Sequence, residues 1–153
     1  MMSDHVQQLP NYRIAYLRKT GPYGLSNYEV MTALKAWAKR NNLLTASTVL
    51  LGISLDNPQY VSPKECRYDA SIVIDEHFTM NTEDTIEERM LLGGTYFVHC
   101  VKHTPEHIQQ AWNNMMSMID HEGLVIDHKP IIERYIGIMN DESYCEICVP
   151  IIQ

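Results

Sequence analysis

The order of elements constrains this chain more than any other feature, because the pattern strand–helix–strand–strand is written in it twice. In the first copy "YRIAYLRKTG" (12–21) alternates as a strand and "GPYGLS" turns the chain. Ser26 and Glu29 stand at capping-box spacing and predict a helix start. Val30, Leu34, Trp37 and Ala38 then fall on one helical face, and "NN" at 41–42 predicts the stop. "STVLLGISLD" (47–56) and "CRYDASIVID" (66–75) read as two further strands. The second copy opens with "MLLGGTYFVHCVKH" (90–103), a strand whose Gly-Gly break suits a bulge or bend. Thr104 is placed to cap a helix with Pro105 at its first position. Ile108, Trp112, Met115 and Ile119 mark its buried face, and Gly123 ends it in the left-handed manner. "PIIERYIGI" (130–138) and "SYCEICVPI" (143–151), joined by "MNDE", close as two strands.

A helix following one strand cannot cover its own apolar face, so two such units pack together. The expectation is an α+β fold of one domain spanning 1–153, with both helices on one face of the sheet. Its pseudo-symmetric repeats cover about 10–76 and about 89–152, with a polar connector over about 77–88.

Alternation along the strands assigns faces. In the last strand Cys145, Ile147, Val149 and Ile151 form the apolar set, which turns Tyr144, Glu146, Cys148 and Pro150 to the other side. In the strand before it Glu133 and Tyr135 share parity, against Ile132 and Ile136. In "RYDASIVI" the acid Asp69 falls where Glu146 falls. Both halves therefore aim one carboxylate at the sheet face away from the helices. Flanked by Tyr144, Cys148 and Pro150, Glu146 reads either as a groove carboxylate or as an ordinary surface one. A carboxylate among aromatic walls is dehydrated, and a diffuse cation stacked on those walls would restore its charged form.

The formal charge of −7, without a basic run, argues against a nucleic-acid binder. Nine Tyr against two Phe suits half-wet binding surfaces, although ordinary boundary positions also account for them. The N-terminal "MMSDHVQQLPNYR" has no signal-peptide core and no apolar run reaches membrane-span length, so the expected location is the cytoplasm. Cys145 and Cys148 form a CxxC, but residues three apart on a strand face opposite ways, which fits neither zinc nor a redox dithiol. His99, His103 and His107 complete no ligand set and read as solvated or strand-edge residues. No metal or cofactor is expected.

The phrases "RKTGPYG", "CRYDASIVI", "LLGGTYFVHCVKH", "AWNNM", "PIIERYIG" and "EICVPI", in this order, resemble the GyrI-like small-molecule-binding domain. The same domain is the effector-binding part of many AraC-type and related multidrug-responsive transcription regulators. The resemblance runs from about Tyr12 to Ile151. It implies two strand–helix–strand–strand units around a central ligand cleft. The family hallmark, an acid on the final strand four residues before a Pro, falls on Glu146 before Pro150, and implies that Glu146 is the pocket carboxylate. The resemblance further implies Tyr135 and Trp112 as pocket walls. Tyr144, Tyr68, Phe97, Tyr28 and Tyr23 join them from parity or turn position, and the core has an equal claim on the last four. About ten residues precede the first predicted strand, without the helix-turn-helix of the regulators, so direct DNA control by this chain alone is not expected.

The leading expectation is binding of amphipathic, cationic or xenobiotic small molecules, as a sensor or by sequestration, with Glu146 supplying the charge. The alternative is a hydrolase of cyclopropane-type electrophiles, with Glu146 as general base and Tyr135 as a hydrogen-bonding acid. A third is a module that partners a regulator or DNA gyrase, for which the acidic connector 81–88 offers a surface.

Overall fold

The computed structural model describes residues 4–81, 85–137 and 144–152. The strands are β1 (His5–Leu9), β2 (Tyr12–Thr20), β3 (Val49–Ser54), β4 (Arg67–Val73), β5 (Glu87–Leu91), β6 (Gly94–Lys102), β7 (Val125–Ile126), β8 (Ile131–Ile136) and β9 (Tyr144–Ile152). The helices are α1 (Leu25–Arg40) and α2 (Pro105–His121). The strands pair antiparallel in the order β1-β6-β9-β8-β3-β4-β2-β5, with β7 added to β9. This order reads the same after β1, β2, β3 and β4 are exchanged for β5, β6, β8 and β9.

Three short strands escape the sequence reading: β1, β5 and the two-residue β7. β1 lies in the residues expected to precede the first strand and pairs with β6, in the other half of the chain. β5 lies partly in the segment read as connector and pairs with β2. The expected strand 90–103 is thus two strands, parted at Leu92 and Gly93. Gly93 is required there. A Cβ would collide with the carbonyl oxygens of Leu9 and Pro10, and its N–H donates to Asn11 Oδ1 at 2.7 Å, so the two crossing links touch at this point. Residues 82–84 of the acidic connector and the "MNDE" turn lie outside the described residues.

Both helices cover the same face. Cross-strand neighbours share a side, and the row Ile147, Glu133, Gly52, Ala70, Leu17 runs across β9, β8, β3, β4 and β2. At one end of that row α1 buries Met31, Leu34, Trp37 and Ala38 against Ala70 and Ile72. At the other end α2 buries Ala111, Met115 and Ile119 against Ile147 and Val149. Each such aliphatic side chain contributes roughly 1.5–3 kcal/mol on burial. Thr104 caps α2, its Oγ1 accepting the His107 N–H at 3.2 Å, and Gly123 follows with φ +73°. The Ser26/Glu29 capping box does not form: Gly24 stands at the N-cap of α1, and Ser26 Oγ bonds Lys19 Nζ at 2.8 Å instead. The Lys19 ammonium also reaches the carbonyl of Pro22, so a partly exposed cation holds this turn and displaces the local cap.

The face away from the helices is not a groove. The sheet curls into a half-barrel, so Leu9 and Leu91, from its opposite ends, meet Ile53, Ile132 and Cys148 in one buried cluster. No helix of the described residues is long and apolar enough to cross a membrane.

Candidate functional site

Both helices line a cleft of about 1370 Å3, and β3 and β8 between them form its floor. Tyr28, Met31 and Lys35 line it from α1, and Ile108, Trp112 and Met116 from α2. Its floor carries Leu50, Tyr68, Glu133 and Tyr135. Tyr135 packs against the apolar clusters under both helices, which puts it at the seam of the two halves.

Glu133 is the floor's carboxylate. Its Oε2 accepts the Tyr135 hydroxyl at 2.7 Å. Among the described residues no basic side chain forms an ion pair with it. Burial, reinforced by the Glu133 charge, raises the Tyr135 pKa far above that of a free phenol, so the hydroxyl remains a donor. The ring of Tyr68 lies over Gly52, the residue directly opposite Glu133; a Cβ at 52 would collide with the Tyr68 hydroxyl. Burial first, and the Glu133 charge second, raise the pKa of Tyr68 as well. His103 sits between Tyr28 and Tyr135, its ring centroid 6.5 Å from one and 5.1 Å from the other. Tyr23 offers the cleft its ring alone, because its hydroxyl lies against the backbone carbonyls of Asp56 and Arg67 at 2.9 and 2.8 Å.

Six of the residues expected at the site line this one cleft: Tyr135, Trp112, Tyr68, Tyr28, Tyr23 and Tyr144. Tyr144 stands at its rim, 47% exposed. Two do not. Glu146 points into the half-barrel, where its Oε1 accepts from Arg134 Nε at 2.9 Å, and Arg134 is itself only 5% exposed. Gln7 Oε1 completes the pairing at 3.1 Å from Arg134 Nη2. The expectation of a waiting charge at 146 is therefore corrected: its countercharge is already in place. Asp69 repeats the arrangement, fully buried and held by Arg18 and Arg89. Phe97 is likewise no cleft residue; it is 4% exposed and packs in the core under α2.

Sequence reasoning missed Glu133 and His103 as site residues. The signal for Glu133 was its shared parity with Tyr135 in "ERY", which places both on one face. Cys145 lies in the α2 cluster and Cys148 in the inner one, and burial pushes each thiol up to about 12.

The GyrI-like small molecule binding domain model matches residues 2–152. YosT, an SPbeta prophage-derived protein of Bacillus subtilis (strain 168) named a candidate transcriptional regulator, is 40% identical over 147 residues, covering 95% of this chain and 97% of YosT. The crystal structure of the EcmrR C-terminal domain matches with a TM-score of 0.76 at 18% identity, covering 99% of this chain and 98% of that one. The structure of SAV2435 bound to tetraphenylphosphonium matches with a TM-score of 0.62 at 16% identity, over 99% of this chain and 94% of that one. At such identities these two likenesses speak for the fold.

Proposed function

The chain belongs to the GyrI-like small molecule binding domain family, and on that premise we propose that its interhelical cleft binds amphipathic cations, with Glu133 as the charge partner. One observation carries this reading: Glu133 faces a large aromatic-lined cavity, and among the described residues its one side-chain hydrogen bond comes from a phenol and no ion pair with it forms. A carboxylate in such surroundings gains from a cation that brings apolar surface with it. The faces of Tyr28, Trp112 and Tyr135 add cation–π attraction of roughly 0.5–2 kcal/mol. A cleft of about 1370 Å3 is large for one drug-sized molecule and suits bulky or variable occupants. That SAV2435 was solved with a lipophilic cation supports the same class of ligand.

The test is calorimetric titration with tetraphenylphosphonium. Wild type is expected to bind it and Glu133→Gln to bind it about tenfold more weakly. Equal affinities would remove Glu133 from the role. Binding of this kind serves sequestration or signalling to a regulator. A lysate pull-down with and without the cation separates them, since only signalling requires a ligand-dependent partner.

The 2.7 Å contact between Tyr135 and Glu133 favours one second reading. In a hydrolase Glu133 would take a proton from the attacking water, while Tyr135 would hydrogen-bond the group that leaves. Turnover of a cyclopropane-bearing electrophile to a water-added product supports catalysis. Loss limited to one equivalent of substrate per protein supports binding.

A further inference from the structure

The floor of the cleft holds a hydrogen-bond donor that the protein leaves unused. Tyr68 is 5% exposed and lines the cleft, yet its hydroxyl has no hydrogen-bond partner among the described residues. The hydroxyl is not sealed off but opens on the cleft, so a ligand that covers it without accepting from it leaves it unpaired at a cost. Its position is fixed by the glycine beneath it, since the ring fills the space that a side chain at Gly52 would take. Gly52 is the direct cross-strand partner of Glu133, and side chains so paired are rooted roughly 5 Å apart. The Tyr68 hydroxyl and the Glu133 carboxylate therefore face one patch of floor. Tyr135 occupies Oε2 of Glu133 and leaves Oε1 as an acceptor. The patch presents one O–H donor beside one anionic acceptor.

Resting on the cation-binding reading above, we infer that this patch selects among cations: it favours protonated amines that carry an oxygen acceptor a few bonds from the nitrogen over quaternary ammonium or phosphonium ions. A protonated amine donates an N–H to Oε1 as a charge-assisted bond, while its oxygen accepts from Tyr68. A quaternary ion has no N–H to donate, and one that also lacks an oxygen acceptor, such as tetraphenylphosphonium, leaves the hydroxyl unpaired in a site it has dehydrated. Sites built around polar partners discriminate against ligands that lack them for this reason. Tyr68 is thus a specificity-determining residue, and the charge of Glu133 serves every cation.

The test uses three probes at pH 7: propranolol (a secondary ammonium with a hydroxyl two carbons away), its N,N-dimethyl quaternary derivative, and tetraphenylphosphonium. Affinities are measured by calorimetry for wild type and Tyr68→Phe, a variant that keeps the ring over Gly52. Wild type is expected to hold propranolol at least tenfold more tightly than the quaternary derivative. Tyr68→Phe should weaken propranolol about fivefold and leave tetraphenylphosphonium within twofold. Equal binding of propranolol and its quaternary derivative, or an equal loss for all three probes in the variant, overturns the inference. If tetraphenylphosphonium binds wild type without that preference, the inference fails while the cation reading stands. If no probe binds, both fail.

Discussion

Three carboxylates on one sheet have opposite fates, decided by the face to which alternation assigns them. On the inner face Asp69 is fully buried and receives Arg18 at 2.7 and 3.0 Å and Arg89 at 2.8 Å. Glu146 on the same face receives Arg134 at 2.9 Å. On the helix face Glu133 receives a single neutral phenol. The inner acids are charges completed during folding, and removing either partner strands the other in a dehydrated space. On the cation-binding reading proposed above, the helix-face acid is completed by what enters the cleft. None of the three is exposed; what separates Glu133 from the two inner acids is that no ion pair with it forms among the described residues.

The strongest way to break this contrast is Asp69→Ala. It leaves two arginines beside an empty buried site and should lower unfolding free energy by about 3–5 kcal/mol in urea titration. A loss below about 1 kcal/mol would place Asp69 among ordinary surface acids. Gly52→Ala comes next. Its methyl group meets the Tyr68 hydroxyl and a ring carbon at 3.1 Å, so Tyr68 must swing into the cleft. The expected cost is about 1–3 kcal/mol of stability, together with weaker tetraphenylphosphonium binding. Unchanged stability and affinity would show that the ring does not rest on this glycine.

Glu133→Gln should reverse the pattern of Asp69→Ala. It removes a charge with which no cation among the described residues forms an ion pair, so midpoint and slope in urea should stay near those of wild type. Affinity for tetraphenylphosphonium should fall about tenfold, equivalent to about 1.4 kcal/mol. A stability loss as large as that of Asp69→Ala would assign Glu133 to the structural class and end the contrast.

Much of the fold was legible because it rests on local chemistry. Thr104 with Pro105 and the apolar stripe of α2 announce that helix, and alternation in "EICVPI" puts Ile147 and Val149 under it. β1 and β5 were not legible, because five-residue strands that pair with the opposite half carry little signal of their own. Parity correctly set Asp69 and Glu146 on the face away from the helices. It could not reveal that this face closes on itself, since curling depends on where Leu9 and Leu91 meet in space. The countercharge of Glu146 is illegible for the same reason: Glu146 stands in the expected motif, but its partner Arg134 lies twelve residues earlier on a neighbouring strand. Glu133, two residues before Tyr135, was in view and was left unchosen.

The smallest expected effect is the one that discriminates best. Glu146→Gln keeps the shape of the side chain and an acceptor for Arg134, and removes only the charge. Arg134, 5% exposed, then loses its anionic partner, so some stability should be lost. The cleft should not respond: Glu146 and Glu133 project from opposite faces of adjacent strands, and the sheet with its packed side chains lies between them. The affinity for tetraphenylphosphonium should therefore change by less than twofold, below about 0.4 kcal/mol. A tenfold loss with Glu146→Gln, beside none with Glu133→Gln, would mean that the ligand reaches the half-barrel interior and that Arg134 gives way to it. The two acids would then exchange the roles assigned to them here.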